Sequence, residues 1–135
     1  MNGRVLIVDD DVTIAEGMRQ LLALEGIESW ATSSPFEFPM LLKRHDPDVV
    51  LLDLAMPTLS GERMLELSNK REMHRDARVV FFSGRSPDEL SALTERLGAT
   101  GYLQKGGDVN AMLRRIQFWI RERRALSEAR TEADA

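Results

Sequence analysis

A chain of 135 residues, 43% hydrophobic and 30% charged, has the make-up of one globular domain that buries its own core. The absence of cysteine excludes disulfides, thiolate metal sites and a thiol nucleophile, and no apolar run reaches the 18 or so residues of a membrane span. A formal charge of −4 speaks against nucleic-acid binding, and without a signal-peptide pattern at the N-terminus the expected location is cytoplasmic.

The first predicted strand, "RVLIV", runs directly into Asp9, Asp10 and Asp11. Ile14, Met18, Leu21 and Leu22 then share one helical face, with Asp11 as N-cap and Gly26 placed to end the helix. "IESWAT" reads as a short second strand. Ser34-Pro35-Phe36-Glu37 has the form of a capping box with proline at the first helical position, opening a helix through Leu41 and Leu42. Pro39 removes an amide donor there, so an irregular start is expected. The third strand, "VVLLDL", carries Asp53 at its tip, and a weakly marked third helix begins near Gly61 and runs through Met64, Leu65 and Leu67.

"VVFF" forms a fourth strand ending at Ser83-Gly84, and Ser86-Pro87-Asp88-Glu89 opens a fourth helix carrying Leu90, Leu93 and Leu97 up to Gly98. The weak fifth strand, "GYLQ", leads to Lys105. Asp108 caps a last helix with Met112, Leu113, Ile116 and Ile120 on its inner face. Packing of that face explains most of "RRIQFWIRERR", with Trp119 the candidate for an outward contact. The expected domain is 1–124, and the small polar stretch 125–135 is a frayed helix end or the start of a linker. His45 and His74 have no second ligand at metal spacing and read as solvated.

Five strand–helix units imply an α/β fold, a three-layer (βα)5 domain whose parallel sheet is covered on both faces. Ligands bind such sheets beyond the carboxyl ends of the strands. That edge receives Asp9, Asp10, Asp53, Ser83 and Lys105. Two carboxylates about 4 Å apart repel by roughly 4 kcal/mol at an effective dielectric near 20. A hard divalent cation such as Mg2+ prefers such oxygen ligands and relieves that cost. Carboxylate oxygen also serves as a phosphoryl-accepting nucleophile, and phosphoryl transfer needs mainly positioning and charge stabilisation.

The motifs "LIVDDD", "LLDLAMPTLSG", "FFSG" and "GATGYLQK", in this order and spacing, resemble the receiver domain of bacterial two-component response regulators over roughly residues 3–124. The resemblance implies a flavodoxin-like sheet of order 2-1-3-4-5, with Asp53 as phosphoacceptor. It implies that Asp10, Asp53 and the Ala55 carbonyl coordinate Mg2+ or Mn2+, with Asp9 acting mostly through bound water. Ser83 and Lys105 would hold phosphoryl oxygens, and Tyr102 would be the switch aromatic. The implied donors are a sensor histidine kinase, a histidine phosphotransfer protein or a small acyl phosphate. The implied output is a face made by the fourth helix, fifth strand and fifth helix, offered to a partner or a second copy. No DNA-reading helix pair is present, so the chain stands alone or is the front of a longer protein.

Two positions depart from the family pattern. Gly106 stands where proline usually follows the lysine through a cis bond; a non-proline cis bond costs about 3–4 kcal/mol, so a trans bond is expected. Arg85, two residues beyond Ser83, occupies a position that influences phosphoryl loss. Two other functions fit parts of the chain. A haloacid-dehalogenase-like phosphatase would use Asp9 as nucleophile and Asp11 as general acid, with Ser83 and Lys105 in supporting roles. It would leave Asp53 unused and lacks a distal acidic pair after Lys105. A pseudo-receiver would use the same fold as a phosphorylation-independent interaction module.

Overall fold

Valine, leucine, isoleucine and phenylalanine make up most of the strand positions, and their branched or bulky side chains suit a pleated, doubly covered surface. In the computed structural model, which describes residues 2–56, 63, 65, 66 and 76–134, the strands are β1 (Gly3–Val8), β2 (Ile27–Thr32), β3 (Val49–Leu52), β4 (Arg78–Ser83) and β5 (Gly101–Gln104). They form one parallel sheet of order β2-β1-β3-β4-β5, as expected. The helices with complete boundaries are α1 (Val12–Leu24), α2 (Phe38–His45), α3 (Pro87–Leu97) and α4 (Val109–Asp134). The predicted third helix falls outside the described residues except at Arg63, Leu65 and Glu66, which are helical, with Leu65 buried. The predicted fourth and fifth helices are therefore α3 and α4.

Side chains alternate across the sheet. Val5, Ile7, Val49, Leu51, Val80 and Phe82 meet α1 and α4 on one side. Leu6, Val8, Val50, Leu52, Val79 and Phe81 meet α2 and α3 on the other. Complete burial of such a side chain contributes about 1.5–3 kcal/mol. Asp11 caps α1 by accepting from the Ile14 amide at 3.1 Å, and Gly26, at φ 72°, turns the chain out of it. Ser86 caps α3 and Gly98 closes it at φ 75°. The Asp108 side chain accepts from the Asn110 amide at 3.1 Å, opening α4.

Three readings need correction. Ser34 makes no side-chain cap; Pro35–Glu37 is a 3-10 turn ahead of α2, and Glu37 is drawn off by the Thr32 hydroxyl at 2.9 Å. The irregular start expected from Pro39 is present. Trp119 is buried, only 5% exposed, and Phe118 points outward instead, at 53%. His45 is not simply solvated: its ring stacks on Trp30 with centroids 3.9 Å apart. Desolvation, then Arg44, lower its pKa, with Glu28 opposing. His74 lies outside the described residues.

At the amino-terminal edge of the sheet, charge replaces apolar packing. Asp48 is fully buried and takes Arg123 and Arg124 at 3.2 Å each, plus the Arg4 amide at 2.9 Å. Arg123 also reaches Asp46 at 2.5 Å, and Arg130 reaches Asp76 at 2.6 Å. Asp46 and Asp76 adopt positive φ, of 45° and 61°. These pairs carry α4 through the polar tail to Asp134. Removing one partner of a buried pair strands the other charge. Arg123→Ala is therefore expected to lower stability by about 3 kcal/mol, and Arg130→Ala, at a more exposed pair, by about 1 kcal/mol or less; urea unfolding curves of the two variants measure both.

Candidate functional site

The ladder of hydrogen bonds continues one residue past the strands at the opposite edge. The Asp9 amide donates to the Thr32 carbonyl at 3.0 Å, and the Asp53 amide to the Val8 carbonyl at 2.9 Å. These bonds hold Asp9 and Asp53 side by side at the tips of β1 and β3. Both are almost fully buried, at 1% and 4% exposure, while Asp10 faces solvent. One carboxylate oxygen from each of Asp9, Asp10 and Asp53 lies within 4.8 Å of the others.

Each buried carboxylate is aimed by a backbone amide. Asp9 Oδ1 accepts from the Asp11 amide at 2.9 Å, and Asp53 Oδ1 from the Ala55 amide at 3.2 Å. Lys105 enters from β5, where its own amide donates to the Ser83 carbonyl at 2.7 Å. Its Nζ lies 2.8 Å from Asp9 Oδ2 and 3.5 Å from Asp53 Oδ1, and 5.4 Å from the centre of the Phe82 ring. No peptide bond is cis among the described residues, and Gly106 absorbs the turn beyond Lys105 at φ 83°, a conformation natural to glycine.

The buried Ser83 hydroxyl accepts from the Arg85 amide at 3.1 Å, and Gln104 Nε2 donates to the Arg85 carbonyl at 3.0 Å. In the sequence, only its place next to Lys105 marks Gln104. Tyr102 lies lower on β5, level with Phe81 and packed against the α2–α3 side of the core. The structure thus brings Asp9, Asp10, Asp53 and Lys105 together, ties Ser83 to Lys105 through the backbone, and leaves Tyr102 below them.

Electrostatics follow from this crowding. Burial first, and then the Asp9 and Asp10 carboxylates, raise the Asp53 pKa above its ordinary value; the Ala55 amide and Lys105 oppose them only in part. Burial alone would lower Lys105, but its contacts with Asp9 and Asp53 outweigh that and raise it. Lys105 therefore stays charged at neutral pH.

The residues present fit a divalent cation. Asp9 Oδ2 is buried and receives no aligned hydrogen bond, the Lys105 ammonium being its close counter-charge. The donor set is all oxygen, as Mg2+ prefers. Ligands of an octahedral Mg2+ lie about 3–4 Å apart, so a cluster within 4.8 Å needs little closure, or a bridging water at one carboxylate.

Comparison with known proteins places this geometry among relatives. The profile of the response regulator receiver domain matches residues 5–117. The chain is 32% identical over 127 residues to the response regulator GacA of Pseudomonas protegens, covering 92% of this chain and 58% of that protein. It is 31% identical over 129 residues to the nitrate/nitrite response regulator protein NarL of Escherichia coli, covering 94% and 59%. The chain thus spans a little over half the length of these relatives. Among solved structures, a CheY-like response regulator receiver domain protein from Methanospirillum hungatei superposes with a TM-score of 0.80 at 25% identity, over 93% of this chain and 98% of that one.

A carboxyl whose folded pKa is raised holds its proton longer in the native state, so its ionisation costs stability. That cost is absent in acid, below about pH 4, and grows as pH rises through the folded value. Asp53→Asn is accordingly expected to raise the Tm of the metal-free protein at neutral pH by a few degrees. The gain should vanish near about pH 3, and added Mg2+ should stabilise the parent more than the variant. Scanning calorimetry across pH, with and without Mg2+, measures each effect.

Proposed function

The chain belongs to the response regulator receiver domain family, and from that premise we propose that it is a phosphorylation switch in which Asp53 accepts a phosphoryl group from a phosphohistidine. The donor is a sensor histidine kinase or a histidine phosphotransfer protein, and the reaction takes place in the cytoplasm. The observation that carries this reading is the position of Asp53: buried, aimed by the Ala55 amide, within 4.8 Å of two further carboxylates and 3.5 Å from a charged lysine. An Asp53 oxygen forms the new bond to phosphorus as the bond to the donor's imidazole nitrogen breaks, leaving an acyl phosphate on Asp53. No general acid or base is needed, because such transfers depend on positioning and on charge placed against the phosphoryl oxygens.

Asp10, Asp53 and the Ala55 carbonyl would hold Mg2+ or Mn2+, with Asp9 reaching it through water. When bound, the ion supplies positive charge that offsets the carboxylates and the incoming phosphoryl oxygens. Lys105 pairs with one of those oxygens, leaving Asp9 to the cation, and the Ser83 hydroxyl donates to another. Tyr102 then repositions and changes the face formed by α3, β5 and α4, which meets a partner protein or a second copy. Such coupling needs two arrangements that the phosphoryl group favours unequally. The phosphatase alternative loses support because Asp11, its general acid, already serves as N-cap of α1 through the Ile14 amide at 3.1 Å.

Treatment with acetyl phosphate and Mg2+ should add the mass of one phosphoryl group to the intact protein. Chelation of the metal or Asp53→Asn should abolish the addition. Retention of the adduct in Asp53→Asn with its loss in Asp9→Asn would instead favour the phosphatase reading, and no adduct on the parent would favour the pseudo-receiver. Arg85→Ala should shorten the adduct's half-life about threefold, a barrier change under about 1 kcal/mol; equal hydrolysis rates would remove Arg85 from the account.

A further inference from the structure

Arg115 lies on the solvent side of α4, yet its guanidinium has three partners. Its Nη1 donates to the Tyr102 carbonyl at 2.9 Å. Its central carbon is 5.7 Å from the centre of the Tyr102 ring and 4.8 Å from that of Trp119. Both distances fall within the range in which a cation is drawn to an aromatic face. A planar guanidinium can stack and donate at the same time, which a lysine ammonium does less well.

Trp119 is the second half of this arrangement. It is buried, and a Cβ added to Gly101 would meet its indole at 2.7 Å, so the ring lies directly against β5 one residue before Tyr102. Arg115 therefore joins two aromatics on different elements, one on the strand and one on the helix. Beside it opens a cleft of about 350 Å³ lined by Ala111, Arg114, Arg115, Phe118 and Trp119.

We propose that Arg115 is a positioning residue that couples Tyr102 to α4. With Tyr102 seated as observed, the guanidinium is shared between two rings and a strand carbonyl. When the Tyr102 ring moves, Arg115 loses one aromatic partner and turns over Trp119 toward the cleft. The charge presented beside Arg114 and Phe118 changes with it. This inference rests on the reading of Tyr102 as the residue that moves on phosphorylation, and adds the residue that relays its movement to the helix.

The chain permits each half to be observed separately. Tyr102 is its one tyrosine, so fluorotyrosine labelling gives a single fluorine resonance. Of its two tryptophans, Trp30→Phe leaves Trp119 as the only emitter. In that background, phosphorylation by acetyl phosphate and Mg2+, which forms the acyl phosphate on Asp53 and releases acetate, should shift both the fluorine resonance and the Trp119 emission. Arg115→Ala should keep the phosphorylated fraction and the fluorine shift but lose the emission shift, and Arg115→Lys should restore part of it. An emission shift undiminished in Arg115→Ala, or a fluorine shift without any emission shift in the parent, overturns the proposal and leaves the Tyr102 reading standing. A fluorine resonance that stays in place in fully phosphorylated protein overturns the Tyr102 reading and the coupling with it.

Discussion

Repulsion among Asp9, Asp10 and Asp53 is the constraint around which this domain is arranged. Hydrogen bonds from the Asp9 and Asp53 amides to strand carbonyls bring two of these carboxylates out of water side by side, and the third stands at the rim. One ammonium, Lys105, lies against the buried pair. Three carboxylates facing one ammonium leave an excess of negative charge, of the kind that an oxygen-seeking divalent cation offsets. A raised Asp53 pKa is the same imbalance expressed as proton affinity.

The other end of the sheet uses the same residue types to the opposite effect. There Asp46, Asp48 and Asp76 meet Arg123, Arg124 and Arg130, and α4 is secured by the pairing. A balanced cluster stabilises structure, whereas an unbalanced one at a strand's carboxyl edge is available for chemistry. Distance from the sheet's carboxyl edge, rather than residue type, separates the two roles. Asp48 illustrates this: it is as buried as Asp9, but two guanidiniums and the Arg4 amide satisfy it.

Gly106 has a clear place in this arrangement. A residue with positive φ after Lys105 lets the strand end and the lysine turn back over Phe82 toward Asp9 and Asp53. Glycine reaches that conformation without steric cost, and the Lys105 amide bond to the Ser83 carbonyl fixes the point at which the turn begins. The two outer loops of the site are thereby linked, one carrying the hydroxyl and the other the ammonium.

The doubly covered parallel sheet, the caps at Asp11, Ser86 and Asp108 and the membership of the acidic group could be read from the chain, because each follows from local spacing, whereas strand order followed from the family resemblance. The reading failed where a residue had a choice of neighbours. Glu37 had the spacing of a capping residue but bonds Thr32, and His45 had no motif yet found the Trp30 ring. Trp119 and Phe118 are adjacent and both aromatic. The bare backbone of Gly101 drew the larger ring inward, a choice set by the space between β5 and α4. Arg115 and the Asp48 hub left no local signal, since their partners lie 13 and 75 residues away. Which groups meet at the sheet's carboxyl edge is legible in the residue order alone, because parallel strands deliver their ends to one side. Which charges are neutralised and which rings share a cation emerges from the folded chain, because burial and contact depend on distances that no local pattern encodes.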